Sequence, residues 1–343
     1  MLSRREFLRY SVLFALAGAL DACQVPPGST ATAPIPTSTP AAIVSPSAAS
    51  TRVTVSTATP AATMTATPVP PYAGEPYLVV ARGSNIAAIT RAAIESLGGI
   101  SKFVKSGNDV ILKPNICNSS YGPEYATTTN PEVMAELVRM CLEAGARRVR
   151  VMDQGFSGSA VEGYKKSGIR DAVEKAGGQM EIMTAAKYVQ VNFPNARDIK
   201  TWKVYQDILK ADVVINVPIA KNHNSARVTL AMKCLMGVIE NRNEIHVALD
   251  QRIADLSTVI KPTLHIIDAV RVLTRNGPTG GSLDYVLRAN TIIASHDPVA
   301  ADAFATREFF QKQPEDIGYI KIGGEMGLGR YDLNNLRIKE VTA

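Results

Sequence analysis

The sequence predicts an α/β fold: a mostly parallel sheet with helices on both faces, arranged in one lobe or two. Short runs of β-branched residues alternate with stretches whose apolar residues recur at helical spacing. Gly, Pro and Asn punctuate the boundaries between them. A hydrophobic content of 46% in 343 residues is also ample for a core on both sides of a sheet.

The amino terminus stands outside that pattern. Ser3-Arg4-Arg5-Glu6-Phe7-Leu8-Arg9 has the twin-arginine export form and precedes an apolar run from Tyr10 to Leu20. That run is too short to cross a bilayer, which takes about 20 residues, and has the shape of a signal-peptide core. Residues 1–22 are therefore expected to be a signal peptide. Leu20-Asp21-Ala22-Cys23 resembles a lipobox, with Asp21 as its departure, and makes Cys23 the lipidation site. Residues 23–74 are rich in Pro, Thr, Ser and Ala and hold half of the chain's 20 prolines. Such a composition cannot bury a core and reads as a disordered tether. Its r.m.s. span as a coil is roughly 40 Å. The expected location is extracytoplasmic, at the cell membrane surface as a lipoprotein exported by the twin-arginine route.

The α/β domain is expected over residues 75–343. Tyr77 to Ala81 reads as a strand, and Asn85 caps a helix that Gly98-Gly99 ends. Asp109 to Lys113 is a second strand, broken by Pro114-Asn115. Pro131 suits a first helical position, and Val133, Met134, Leu137, Val138 and Cys141 form that helix's apolar face. Arg148 to Met152 is a strand ending at Asp153. Val161 to Ala176 is a helix stopped by Gly177-Gly178, and short strands lie near Met180 and Val189. Asp212 to Pro218 is a buried strand. A polar turn with Lys221, Asn222 and His223 then leads into a helix on Val228, Leu230, Ala231, Leu235 and Val238. His246 to Ile260 is a helix, and Thr263 to Ile267 a strand ending at Asp268. Ala289 to Ala294 is a strand ending at His296-Asp297. Helices from Pro298 to Phe310 and Pro314 to Met326 follow, then an edge strand from Leu336 to Val341.

Several function classes are disfavoured. The net charge of +6 is scattered, with little aromatic interleaving, so no nucleic-acid partner is expected. Cys23, Cys117, Cys141 and Cys234 lack metal-knuckle spacing, which argues against a disulfide framework and against an iron–sulfur cluster held by this chain alone. Neither a phosphate-loop nor a Gly-x-Ser-x-Gly motif is present.

The chemistry-bearing residues collect at strand ends: Lys113 with Asn115, Asp153, Lys221 with His223, Asp268, and His296 with Asp297. In a parallel sheet the carboxyl ends share one edge, where ligands bind. Lys113, Lys221 and Lys233 suit a carboxylate or phosphate as point charges. His223, Lys233 and Lys113 are the catalytic candidates, with His223 as acid/base or metal ligand. Asn115, Lys221, Thr229 and a backbone cradle at Gly277 and Gly280 are the ligand-binding candidates. His223, His246 and Asp268 are a plausible set for a divalent metal. Arg227 could hold an anion or simply be solvated. His265 is expected in the core, Asp297 as a helix cap, and Asp302 in solvent.

The same residues carry a resemblance. Leu112-Lys113-Pro114-Asn115, Thr128-Thr129-Asn130-Pro131, Asp212 to Pro218, Lys221-x-His223, Thr229, Lys233, Gly237, His246, Ile267-Asp268-Ala269, Gly277-Pro278 with Gly280, and Asp297-x-Val299-Ala300-x-Asp302 occur in order. From Tyr77 to Asn335 the chain resembles the domain of unknown function (DUF) 362 family. The resemblance implies an α/β domain and no settled activity. Many relatives carry a ferredoxin-like segment with cysteine-ligated clusters, and the cysteine spacing of such a segment does not occur in these 343 residues. Cys234 and Asn222 stand where the family usually has Asn and Thr. More distantly, the domain is similar in style to two-lobed α/β proteins of the lactate racemase family.

Three readings follow. The first is an exported enzyme acting on or with a small anionic ligand. The second is a tethered protein that binds a ligand or cofactor for a membrane partner. The third, ranked last, is an interaction module without a small-molecule site.

Overall fold

The computed structural model describes residues 76–343. The signal, the tether and Cys23 lie outside the described residues. Strands Leu78–Arg82 (β1), Asp109–Pro114 (β2), Arg148–Val151 (β3) and Gln179–Met180 (β4) come first. A separate antiparallel hairpin of Tyr188–Asn192 (β5) and Thr201–Tyr205 (β6) follows. Val213–Val217 (β7), Ile219–His223 (β8), Arg227–Thr229 (β9), Leu264–Leu273 (β10), Val286–Ser295 (β11) and Ile338–Thr342 (β12) complete the strands. One 10-stranded sheet runs in the order β12-β1-β11-β10-β7-β2-β3-β4, with β8 beside β10 and β9 beside β8. All its strand pairs are parallel except those made by β11 and the β8–β9 hairpin. A mostly parallel α/β sheet is thus the architecture, and it runs through a single lobe.

Both faces are covered, because strand residues alternate between two cores. Leu78 and Val80 point into one, Val79 and Ala81 into the other. Helices Ile86–Glu95 (α1), Pro131–Glu143 (α2), Ala160–Lys166 (α3) and Ile169–Lys175 (α4) pack on the Val79 face through residues such as Ile89, Met134, Tyr164 and Val173. Gln206–Lys210 (α5), Ala231–Cys234 (α6), Arg242–Ile245 (α7), Leu249–Leu256 (α8), Pro298–Phe310 (α9) and Gly318–Glu325 (α10) cover the Leu78 face, burying Ile208, Met232, Ile245, Ile253, Phe304 and Ile320. Full burial of each such side chain contributes about 1.5–3 kcal/mol. The expected caps at Asn85 and Asp297 form, accepting from the Ala88 and Ala300 amides, and Asn130 adds a third by accepting from the Glu132 amide.

Four features depart from the sequence reading. The segment after His223 is a hairpin before it is a helix, with Lys221 opposite Thr229 and His223 opposite Arg227. Val228 lies on β9 and Leu230 just after it, not on a helical face, because their apolar spacing is satisfied equally by a short buried strand and the residue after it. The Val161–Ala176 helix breaks at Gly168, whose φ is +72°. The helix expected from His246 is regular α only from Leu249. Most consequentially, β11 runs antiparallel, with Ser295 beside His265 at the start of β10. His296 and Asp297 therefore lie at the opposite sheet edge from Lys113 and His223.

Candidate functional site

At the carboxyl edge of β2, β3 and β8 a cleft of about 970 Å³ opens, lined by Asn115, Cys117, Lys221, His223, Thr229, Lys233, Cys234, Arg242, His246 and Pro278 among others. The surrounding scaffold accounts for much of the sequence pattern. Thr129 Oγ1 accepts the Asn115 amide at 2.9 Å and donates to the Val217 carbonyl at 2.7 Å, tying the ends of β2 and β7 together. The Asp268 carboxylate accepts the Asn130 amide at 2.7 Å and the Val270 amide at 3.0 Å. Thr127 is thereby held with its carbonyl accepting from Lys221 Nζ at 2.9 Å, and Pro278 offers a second carbonyl at 3.4 Å. The Thr-Thr-Asn-Pro run is a bracket that aims a lysine.

Lys221, His223 and Lys233 are all less than a tenth exposed. Among the described residues, neither Lys221 nor Lys233 pairs with a carboxylate. Among the described residues the hydrogen-bond partner of Lys233 Nζ is the Met236 thioether, at 3.6 Å, a weak acceptor. Burial first, then the charge of Lys221, brings the Lys233 amine down to about 8. Asn115 Oδ1 and Thr229 Oγ1 are buried polar atoms without a hydrogen-bond partner. In folded proteins such groups are nearly always satisfied.

His223 has a defined tautomer. Its Nδ1 accepts from the Ser225 and Ala226 amides, both at 3.2 Å. The ring proton must then sit on Nε2. Burial, reinforced by Lys233, Lys221 and His246, pushes its pKa down to about 3. At neutral pH His223 is an uncharged donor, and no free lone pair remains for general-base work or metal binding.

Other candidate residues have different places. Lys113 is buried away from the cleft lining, its Nζ 2.7 Å from Asp153 Oδ1 and from the Pro114 carbonyl and 3.2 Å from Cys234 Sγ. Burial is the largest single influence and would lower its pKa, but the charge and hydrogen bond of Asp153, joined by those of Cys234, together outweigh it and leave the ammonium favoured. Lys113 is thus a scaffold cation, not a presented catalytic group. Asp268 is not at a strand end: β10 continues to Leu273, and the carboxyl is fully buried. The metal set of His223, His246 and Asp268 is not assembled. Both Asp268 oxygens serve backbone amides, and His246 is exposed with Nδ1 3.2 Å from the Arg242 carbonyl. Among the described residues no three His, Cys, Asp or Glu side chains form a metal-binding group.

The Gly277–Gly281 loop does not cradle an anion. The Gly277 amide donates to Asn222 Oδ1 at 3.0 Å, and the Gly280 amide to the Asn276 carbonyl at 2.9 Å. A Cβ on Gly277 would collide with the Asn222 carbonyl, so glycine is needed for close packing of the loop on β8. Arg227 is exposed on β9 and outside the cleft lining. His265 is in the core, 3.2 Å from Asn216 Nδ2, as expected. Asp302, expected in solvent, is instead fully buried and accepts the Ala231 and Met232 amides at 2.6 and 3.0 Å. It caps α6, which carries Lys233, from a distant part of the chain.

Arg242 escaped the sequence reading. Its guanidinium donates to the Gln154 and Gly155 carbonyls at 2.7 and 2.6 Å, bridging α7 to the loop after β3 at the cleft wall. The available signal was the polar run Glu240-Asn241-Arg242-Asn243 directly after the buried Gly237–Ile239 segment.

A sequence profile described as Domain of unknown function (DUF362) matches residues 110–307, more than half of the chain. The chain belongs to the DUF362 family. A thylakoid-associated protein of Synechocystis is 27% identical over 261 residues, covering 72% of this DUF362 chain and 76% of that protein. Among solved structures, the lactate racemase apoprotein of Thermoanaerobacterium thermosaccharolyticum aligns at 13% identity and a TM-score of 0.39, over 64% of this chain and 54% of that one. A Thermotoga maritima protein aligns at 12% identity and 0.40, over 70% and 59%.

Proposed function

We propose that this DUF362 domain is an enzyme acting on or with a small anionic ligand, carried at the extracytoplasmic membrane surface by a lipid on Cys23. The observation that carries the ligand class is the pair of buried lysines, Lys221 and Lys233, lining one cleft with no carboxylate partner among the described residues. A buried charge is costly unless paired, and a carboxylate or phosphate would supply the missing partner. The Nε2–H of His223 adds a neutral donor suited to an oxygen that gains charge during reaction. No step is assigned to a metal, because the residues present do not fit one.

The binding test uses the single tryptophan. Trp202 Nε1 donates to the Glu240 carbonyl at 2.7 Å, and Glu240 lines the cleft. Its fluorescence should report titration with inorganic phosphate, acetate, pyruvate and citrate. Lys221→Met should weaken the tightest of these by about 10- to 100-fold, the loss of a charged hydrogen bond worth ~1.5–3 kcal/mol. Equal affinity in the variant would reject the reading. Saturable binding of a ligand that is always recovered unchanged would favour a tethered binding protein.

The anchoring rests on Ser3 to Arg9 and on Cys23. Cell fractionation should find the full chain with membranes and Cys23→Ala in the soluble extract. A wild-type chain that is itself soluble would reject the anchor.

A further inference from the structure

We propose that Lys233 forms an imine with an aldehyde or ketone carbonyl on the anionic ligand, so that the ligand class of this cleft is a small carbonyl-bearing acid. The inference rests on the anion-binding reading above and extends it to a covalent step.

The two cleft lysines are held differently. Lys221 Nζ donates to the carbonyls of Thr127 and Pro278. Those carbonyls fix the position of the Lys221 Nζ, which suits it to anchor a carboxylate through a charge-assisted hydrogen bond. Among the described residues Lys233 Nζ has only the Met236 sulfur, at 3.6 Å. Nothing there holds a proton on the amine. Desolvation and a neighbouring cation are the two devices that make a lysine nucleophilic, and both act on Lys233. The resulting amine, with its pKa near 8, has a usable neutral fraction at neutral pH. Its position is also fixed: Asp302 and Asn216 Nδ2, the latter donating to the Ala231 carbonyl at 2.8 Å, pin the start of α6.

The step balances within the cleft. The neutral Nζ attacks the carbonyl carbon, the C–N bond forms, and the carbonyl oxygen becomes an alkoxide within the reach of a neutral donor such as His223 Nε2–H. One amine proton passes to that oxygen to give a carbinolamine. The second leaves with the hydroxyl as water when the C=N bond forms. No oxidant or reductant is consumed. Asn115 Oδ1 and Thr229 Oγ1 remain to receive or donate hydrogen bonds to the rest of the ligand.

The test is reductive trapping. The full chain is incubated with glyoxylate or pyruvate and sodium cyanoborohydride, then analysed by intact mass and peptide mapping. The expected result is one carboxymethyl or carboxyethyl group per chain, on Lys233, formed faster as pH rises toward and through about 8. Lys233→Arg should abolish the adduct, and saturable anion binding is read by Trp202 fluorescence on the unaltered full chain. Lys221→Met should slow trapping about tenfold, the loss of one charged anchor. Saturable anion binding with no adduct, or adducts scattered over exposed lysines, overturns the imine and leaves the anion site standing. Absence of both binding and adduct overturns the two together.

Discussion

Asp153→Ala should destabilise the folded protein by about 3–5 kcal/mol, the range for removing one partner of a buried ion pair. The variant leaves the Lys113 ammonium, 1% exposed, with only the Pro114 carbonyl and the Cys234 sulfur. It also strips the Ile116 amide of its acceptor, Asp153 Oδ2 at 2.6 Å. Nearby space cannot absorb the change, because Gly237 packs so closely that a Cβ there would meet both partners. Urea denaturation of the full chain would show a lower midpoint. The double variant Lys113→Met with Asp153→Ala should recover more than half of the loss, since the uncompensated charge is then gone. A loss below about 1 kcal/mol for Asp153→Ala, the scale of an exposed pair, would show that Lys113 finds another partner and that the pair does not hold this edge together.

Asp302→Ala should cost about 2–4 kcal/mol and also impair the cleft. Among the described residues its carboxylate is the hydrogen-bond acceptor for the amides of Ala231 and Met232, both in buried residues. Two orphaned amides cost about 1–3 kcal/mol each if nothing replaces the acceptor. The first turn of α6 would loosen, and with it the placement of Lys233 and Cys234. Asp302→Asn retains one acceptor oxygen and should be milder. Anion titration at a temperature where both variants remain folded separates the two effects. Unchanged binding in a destabilised Asp302→Ala protein would mean that α6 keeps its place without the cap.

Much of the fold was legible because local signals and tertiary demands agree. Asn85 and Asp297 announce helix starts through side chains that bond within a few residues, and the β-branched run before Pro218 can be little else than a buried strand. The hairpin after His223 was not legible, since its few apolar positions satisfy helix and strand spacing alike. Strand direction was not legible either. A run such as Ala289 to Ala294 has the same composition whichever way it enters the sheet, so His296 and Asp297 looked like members of the site and are not.

The sequence by itself determined that a cleft at strand carboxyl ends would gather Lys221, His223, Thr229 and Lys233, because those residues sit within one continuous stretch and must stay near one another. Only the tertiary structure decided their chemistry. Lys113, Lys221 and Lys233 are the same residue type at similarly buried positions, yet their amines meet Asp153, two carbonyls and a thioether respectively, three different surroundings. Asp153 and the two carbonyls come from remote parts of the chain, as does the Asp302 carboxylate that holds α6, whereas the thioether is Met236, three residues from Lys233. Charge state depends on what is within a few ångströms in space, and spacing along the sequence does not carry that information.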